Sequence, residues 1–474
     1  MSLPNILFLM SDEHRADVAG FAGDAVVRTP TLDWLARTGV VFNHAYTPSP
    51  ICIPARQAIA AGQLPRTCAC ERYGQDLPPF AMTFARRFTQ HAYLTACCGK
   101  LHHSGEDQMQ GWLHRPAGDL EVQPNFMPGR VEALFERYGK RPGTKWSDAK
   151  ETLRAGVAPG PYQAFDEAAV AAAGRTIRQH FLDPYYDRPA PLRPLLLKVS
   201  MIQPHYPYFT SEDKFTYYLN RVTPYRDQPV FDHPFLSQRQ VTVGVDGVTE
   251  RDLRRATAAY YGMVETIDDH YATVLDQLRH AGQDLDDWII VYCSDHGEML
   301  GEHGIWEKQK FFEGSARVPL IIRWPKRFAP RVVEENVNLC DLFATLCDLA
   351  GIDLPADEAT VRGAGLDSRS LVPLMQGDCS EWANETVSQF RGSNLMIKRD
   401  ALKYQFYEAD DCASQPEVLF DLERDPAERV NVIDEPGYAA AVAAFRHRRA
   451  ALGFGPDAPA YRNAGYHASA SLAR

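Results

Sequence analysis

The sequence predicts an α/β fold: a large, mostly parallel sheet flanked by helices, with a smaller C-terminal α+β domain carrying an antiparallel sheet. Three observations carry this reading. Short apolar runs closed by polar residues recur through the first part of the chain without in-and-out alternation, which is the pattern of strands buried on both faces. Helical stretches fall between them, as a parallel sheet requires. After about Gly377 the runs become short and are separated by turn residues, which suits antiparallel pairing. A chain of 474 residues exceeds one compact core. The expected division is a domain over 1–377 and a smaller one over 378–474.

Taken in order, residues 5–11 (Asn-Ile-Leu-Phe-Leu-Met-Ser) form the first strand, closed by Asp12. Residues 31–38 form a helix with Pro30 just ahead of it, a favoured helix-start position. Residues 56–61 look like a helix start directly after Cys52. Residues 93–98, 195–201, 286–293 and 319–324 supply further strand signals. Helices are expected over 166–181, over 250–281 (with a break left open) and over 337–350, the last ended by Gly351 as a C′ residue. Short antiparallel strands follow at 395–398, 403–407 and 418–422, then an amphipathic helix over 438–452 and an extended tail over 453–474. Segments 104–165 and 206–250 are Pro-rich and irregular, and long loops of this kind usually wall a substrate site.

Net charge is −11, from 50 basic and 61 acidic residues, which argues against a general nucleic-acid binder. No stretch approaches a membrane span. The first residues run straight into an apolar strand with no basic n-region, so the expected location is cytoplasmic. The ten cysteines show no disulfide framework and read mostly as reduced core residues.

In sheets of this kind ligands gather at the carboxyl ends of the strands. Asp12, Lys100, His205, Asp295 and His296 all follow strand ends, so one mouth can collect them. Asp12, Asp295 and His296 are hard oxygen donors plus an imidazole and suit a divalent cation such as Ca²⁺, Mg²⁺ or Mn²⁺. Lys100 and His102 place a cation and a titratable ring two residues apart, on one face if the segment is extended. His103 follows at once, so either imidazole could act. His205 lies in the stiff run Gln203-Pro204-His205-Tyr206-Pro207, where rigid positioning suits a general acid. Arg56 stands one turn after Cys52, where its fork can hold an oxyanion.

The run Ser49-Pro50-Ile51-Cys52-Ile53-Pro54-Ala55-Arg56 carries the Cys-x-Pro-x-Arg signal at which type I sulfatases convert cysteine to formylglycine. With Asn5–Asp12, Thr29-Pro30-Thr31-Leu32-Asp33, Gly62, Gly99–His102, Pro204-His205, Ser294–Gly304 and Leu419-Phe420-Asp421-Leu422 in the same order, the chain resembles a type I sulfatase of the alkaline phosphatase superfamily. Asp295-His296-Gly297-Glu298-Met299-Leu300-Gly301-Glu302 and the continuation Gly105-Glu106-Asp107-Gln108 are more similar to the choline sulfatase and phosphonate monoester hydrolase branch. The resemblance implies an alkaline-phosphatase-like fold and a sulfuric ester hydrolase acting on a small-molecule sulfate monoester. A phosphonate monoester or phosphodiester hydrolase using the same site is the alternative. A silent scaffold is the reading from a different class, and it would be expected to have lost Cys52, Asp12, Asp295 or Lys100.

It further implies Cys52 as the formylglycine nucleophile, made by a formylglycine-generating enzyme. Asp12, Glu13, Asp295, His296 and the converted Cys52 would form the metal site, with Ca²⁺ the expected ion and Mn²⁺ or Mg²⁺ the alternatives. Arg56 and Lys100 would hold formylglycine and sulfate oxygens. His102 would remove a proton as sulfate leaves. His205 and Lys308 would stabilise and protonate the departing alcohol. A homo-oligomer is compatible with all of this. Three positions depart from the family pattern: Glu13 where Asp or Gln is usual, Ala55 where Ser is common, and no Asn in Glu71-Arg72-Tyr73-Gly74-Gln75-Asp76, where the choline-sulfatase branch has one.

Overall fold

The computed structural model describes residues 3–103, 105–119, 149–160, 162–182, 192–225, 233, 241–408, 416–456 and 458. An eight-stranded sheet forms its centre, in the order Arg331–Val333, Val40–Phe42, Leu320–Arg323, Ile289–Ser294, Ile6–Asp12, Leu195–Pro204, Leu94–Gly99, His114–Ala117. Ile6–Asp12 lies between Leu195–Pro204 and Ile289–Ser294 and pairs in parallel with both. All seven of its residues are buried, and the two sides of the sheet explain why. Ile6, Phe8 and Met10 pack with Leu342, Phe343 and Leu346 of the helix Leu342–Ala350. Leu7 and Leu9 pack on the opposite face with Ala173 and Ile177 of Gln163–Phe181 and Ile267 and Tyr271 of Glu250–His280. A strand covered on both faces needs apolar residues at every position, so its sequence does not alternate.

Several expectations are refined by local chemistry. Glu250–His280 is one unbroken helix of 31 residues, opened by a Thr249–Asp252 capping box. The expected helix over 337–350 begins late. Val337–Asn338 pairs as a short strand with Ala45–Tyr46, and the Asn338 side chain accepts the Cys340 N–H, so helical structure starts only beyond it. Leu320–Arg323 runs antiparallel to both neighbours. The chain returns to it from Ser294 through the 3₁₀ turn Glu302–Gly304 and the single-turn helix Glu313–Ala316, not through the long helix that usually joins parallel neighbours. Glu385–Phe390, which the sequence reading did not single out, is a fourth strand of the C-terminal sheet, ahead of Asn394–Arg399, Leu402–Phe406 and Glu417–Asp421.

The C-terminal sheet is covered on both faces. Leu395, Ile397 and Tyr404 pack on Val442 and Phe445 of the helix Ala439–Ala451 and on Ala58. Met396, Tyr407 and Phe420 pack on Ile51, Phe311 and Phe312, beside the site described below. The nine described cysteines are free thiols, eight of them buried. Most of the expected tail over 453–474, Cys412, and parts of the irregular segments 104–165 and 206–250 lie outside the described residues. Among the described residues no helix is long and apolar enough to cross a membrane.

Candidate functional site

Four adjacent strands deliver the predicted residues to one end of the sheet. Asp12 closes Ile6–Asp12, and Ser11 aligns with Ser294, the residue before Asp295-His296. Lys100 follows Leu94–Gly99, and His205 follows Leu195–Pro204. Two glycines permit this convergence. A Cβ on Gly99 would stand 2.1 Å from the Ser200 carbonyl oxygen, and one on Gly297 would stand 2.1 Å from that of Gly314. Any larger residue would force the strand ends apart.

Cys52 opens the helix Cys52–Ala61, and its Sγ lies 3.1 Å from His296 Nε2 and 3.6 Å from Asp12 Oδ1. Burial, then the Asp12 carboxylate, pushes the thiol up to about 11. As a plain cysteine it is therefore a protonated, poor nucleophile near neutral pH.

Arg56, one turn on, ties the site together. Its Nε donates to Asp295 Oδ2 at 2.7 Å and its Nη2 to Asp12 Oδ2 at 3.0 Å. Nη1 donates to the Lys100 carbonyl and to Ser200 Oγ. Lys100 Nζ adds a second cation 2.7 Å from Asp12 Oδ2. Burial alone would raise the Asp12 pKa; Lys100 and then Arg56 outweigh it and hold this carboxylate well below its usual range.

With both Oδ2 atoms taken, four other donors converge. Asp12, Cys52, Asp295 and His296 each present one ligand atom, all within 4.8 Å of one another. His296 Nδ1 is 3.0 Å from the Gly297 carbonyl, which can only accept, so Nδ1 donates and Nε2 is the ring atom turned toward the two carboxylates, 3.7 Å from Asp12 Oδ1 and from Asp295 Oδ1. Two carboxylates and an imidazole nitrogen facing inward fit a cation. An oxygen-bearing residue 52 would make the set suit a hard one.

Glu13 belongs to a neighbouring group. It adopts a left-handed backbone (φ 68°), is fully buried, and its Oε2 lies 2.8 Å from Lys308 Nζ and 3.5 Å from His205 Nε2. Its ligand atom groups with those of Asp12 and His205 rather than with the four-donor set. Burial, assisted by Glu298, raises its pKa well above the usual value despite Lys308. Burial and then Lys308 lower that of His205, whose Nδ1 donates to the Tyr206 carbonyl at 2.6 Å. Lys308 also lies 4.9 Å over the Tyr206 ring.

His102 does not follow an extended path. Its φ is 63°, and the turn is pinned where Asp119 accepts the Leu101 and His102 N–H groups. Burial, then Lys100 and Arg56, lowers its pKa. His103 instead faces Asp76, its Nδ1 3.3 Å from Oδ1. Sequence reasoning missed Asp119, Ser200 and Asp166. Asp166, in the first turn of Gln163–Phe181, accepts the Ile202 and Gln203 N–H groups just ahead of His205. Their partners are distant in the chain, so no local signal exposes them.

Comparisons with known proteins agree in direction. The profile of the Sulfatase family matches residues 4–352, and that of the C-terminal part of N-sulphoglucosamine sulphohydrolase matches 301–452. The chain is 31% identical to a choline-sulfatase of Rhizobium meliloti (strain 1021), over 94% of this chain and 86% of that protein. It is 28% identical to an arylsulfatase of Clostridium perfringens (strain 13 / Type A), over 92% and 91%. Among solved structures, the phosphonate monoester hydrolase of Agrobacterium radiobacter superposes with a TM-score of 0.74 at 24% identity, covering 95% of each chain.

Proposed function

The chain belongs to the sulfatase family, and from that premise we propose that it hydrolyses the sulfate monoester of a small organic alcohol, with Cys52 matured to formylglycine by a formylglycine-generating enzyme. The observation that carries this is the four-donor cluster of Asp12, Cys52, Asp295 and His296 backed by Arg56 and Lys100. The work is assigned to a catalytic domain over 1–377, with 378–474 as the smaller domain. Cytoplasmic action is part of the proposal; the free thiols support it.

Asp12, Asp295, His296 and residue 52 would hold the divalent cation, Ca²⁺ by the hardness of its oxygen donors. Bound there, the cation would acidify an oxygen nucleophile and draw charge from the ester oxygens. Formylglycine, as its hydrate, would supply one hydroxyl for attack at sulfur and a second whose proton loss expels sulfate. Arg56 aims the two aspartates by holding one oxygen of each, and with Lys100 keeps Asp12 ionised. Lys100 offers positive charge to sulfate oxygens. His102, held neutral by burial, can take the proton from the second hydroxyl. On the opposite side, His205 and Lys308 meet at Glu13, where charge and a proton can be given to the departing alkoxide.

Mass analysis of the Cys52 peptide, run beside turnover of matched aryl sulfate and phosphonate esters with and without a strong chelator, tests the proposal. The expected result is conversion of –CH₂SH to –CHO, faster sulfate turnover and full loss with chelator. An active sample with an intact thiol, or activity indifferent to chelation, would overturn the mechanism. Faster phosphonate turnover would transfer the same residues to the phosphonate reading.

A further inference from the structure

We propose that Glu298 is the positioning residue for Lys308, an inference that rests on the leaving-group role given to Lys308 above. Lys308 sits in a segment between Glu298 and Lys310 whose only regular structure is one 3₁₀ turn, Glu302–Gly304. Four non-glycine residues there, Leu300, His303, Glu307 and Gln309, have left-handed backbones. Each costs about 1–2 kcal/mol, so the segment holds this shape only if its surroundings impose it.

Glu298 imposes it from within. Its side chain is fully buried, and Oε1 accepts both the Leu300 N–H at 2.8 Å and the Glu307 N–H at 2.6 Å. Those are two of the four left-handed residues, and Glu307 immediately precedes Lys308. The second oxygen, Oε2, accepts the Tyr208 hydroxyl at 2.9 Å. Tyr208 is itself packed against Trp306 and Tyr260, and the Tyr260 hydroxyl donates to the carbonyl of Glu13, the carboxylate Lys308 pairs with. One carboxylate thus fixes the backbone ahead of Lys308 and braces the wall that fixes its partner.

The test compares Glu298→Ala, Glu298→Gln, Lys308→Ala and the double variant Glu298→Ala/Lys308→Ala on sulfate esters of graded leaving groups. Glu298→Ala should lose about 10²-fold in kcat/KM on poor leaving groups, much less on good ones, and add nothing on top of Lys308→Ala. Glu298→Gln should stay near wild type, because its amide oxygen still accepts both N–H groups while its NH₂ turns to Tyr208. Equal losses on all esters, or full additivity with Lys308→Ala, would overturn the proposal. Hydrogen exchange over 299–310 is read separately. It should rise in Glu298→Ala and not in Glu298→Gln, and unchanged exchange would also overturn it. If Lys308→Ala itself shows no leaving-group bias, the leaving-group reading fails, and the exchange result alone decides whether Glu298 holds the segment. Should Glu298→Ala not fold, Tyr208→Phe removes one of the three bonds and should give a smaller bias of the same sign; no bias there counts against the proposal.

Discussion

Two clusters of buried charge are built on different rules. Around Lys403, in the strand Leu402–Phe406, every carboxylate oxygen faces a donor. Lys403 Nζ lies 2.9 Å from Glu313 Oε1 and 2.8 Å from Glu428 Oε1. Arg317 and the Tyr46 hydroxyl complete Glu313, and the Glu313 N–H completes Glu428. At the strand ends, Arg56, Lys100 and Lys308 occupy Oδ2 of Asp12, Oδ2 of Asp295 and Oε2 of Glu13. The Asp12 Oδ1, Cys52 Sγ and His296 Nε2 atoms face one another. A closed cluster ties the C-terminal sheet to the main body. An open one, costly to bury, fits the cation and the anionic substrate proposed for it.

The largest effect should come from emptying the open cluster without touching the closed one. Cys52→Ala should lower kcat by at least about 10⁴-fold. Its folding stability should change by no more than about 1 kcal/mol, measured by urea unfolding. Substantial residual turnover would remove residue 52 from the chemistry and dissolve the contrast.

Arg56→Met and Lys403→Met then set the clusters against each other. Each strands a buried carboxylate, so each should cost about 3–5 kcal/mol of stability. Only Arg56→Met should also abolish turnover per folded molecule. A matching kcat loss in Lys403→Met would show that the two clusters are coupled and that the C-terminal sheet shapes the site.

How much of this was legible beforehand follows the same division. The open cluster could be read because its members stand at strand ends in short runs: Asp12 after 5–11, Asp295-His296 after 286–293, and Cys52 four residues ahead of Arg56. Apolar runs bounded by charge are local signals, and they located the four central strands. The closed cluster could not be read, since Lys403, Glu313 and Glu428 become partners only through tertiary packing. The same holds for Asp119 and Asp166, which fix His102 and the approach to His205 across the fold. The direction of Leu320–Arg323 was hidden for a related reason: apolar runs announce a strand but carry no sense of its orientation. Glu13 is the intermediate case. Its left-handed φ turns its carboxylate to Lys308 and His205, and one of its oxygens still groups with Asp12 and His205 as possible metal donors.

Lys198 belongs to neither cluster and sharpens the rule that buried charge here is paired. It is enclosed in the central strand Leu195–Pro204, its ammonium 4.9 Å over the Phe8 ring. Burial pulls its pKa from 10.5 to about 8. Between those values the unfolded chain binds the extra proton, so stability rises with pH across the window and is most depressed below pH 8. Lys198→Met should therefore unfold later than wild type at pH 7, by up to about 3 kcal/mol, and the gap should close as pH climbs toward 10.5. A gap that stays constant with pH would mean that methionine merely packs better.

The smallest effect separates the two sides of the open cluster itself. His205 shares the Glu13 carboxylate with Lys308, stacks beside Tyr206, and is kept neutral by burial and then by Lys308. Asn in its place would keep polarity while removing the ring nitrogen through which a proton held at Glu13, whose pKa burial raises, can pass to the alkoxide. Esters whose alkoxide leaves easily need no acid and should be hydrolysed at close to the wild-type rate. Esters of alkyl alcohols need one and should slow by about 10²-fold. Because Arg56, Lys100 and the four-donor set remain intact, the change should fall on kcat rather than KM. Equal slowing of both ester types would move His205 from proton delivery to binding, and would leave Lys308 as the group on that side that answers to the leaving alcohol.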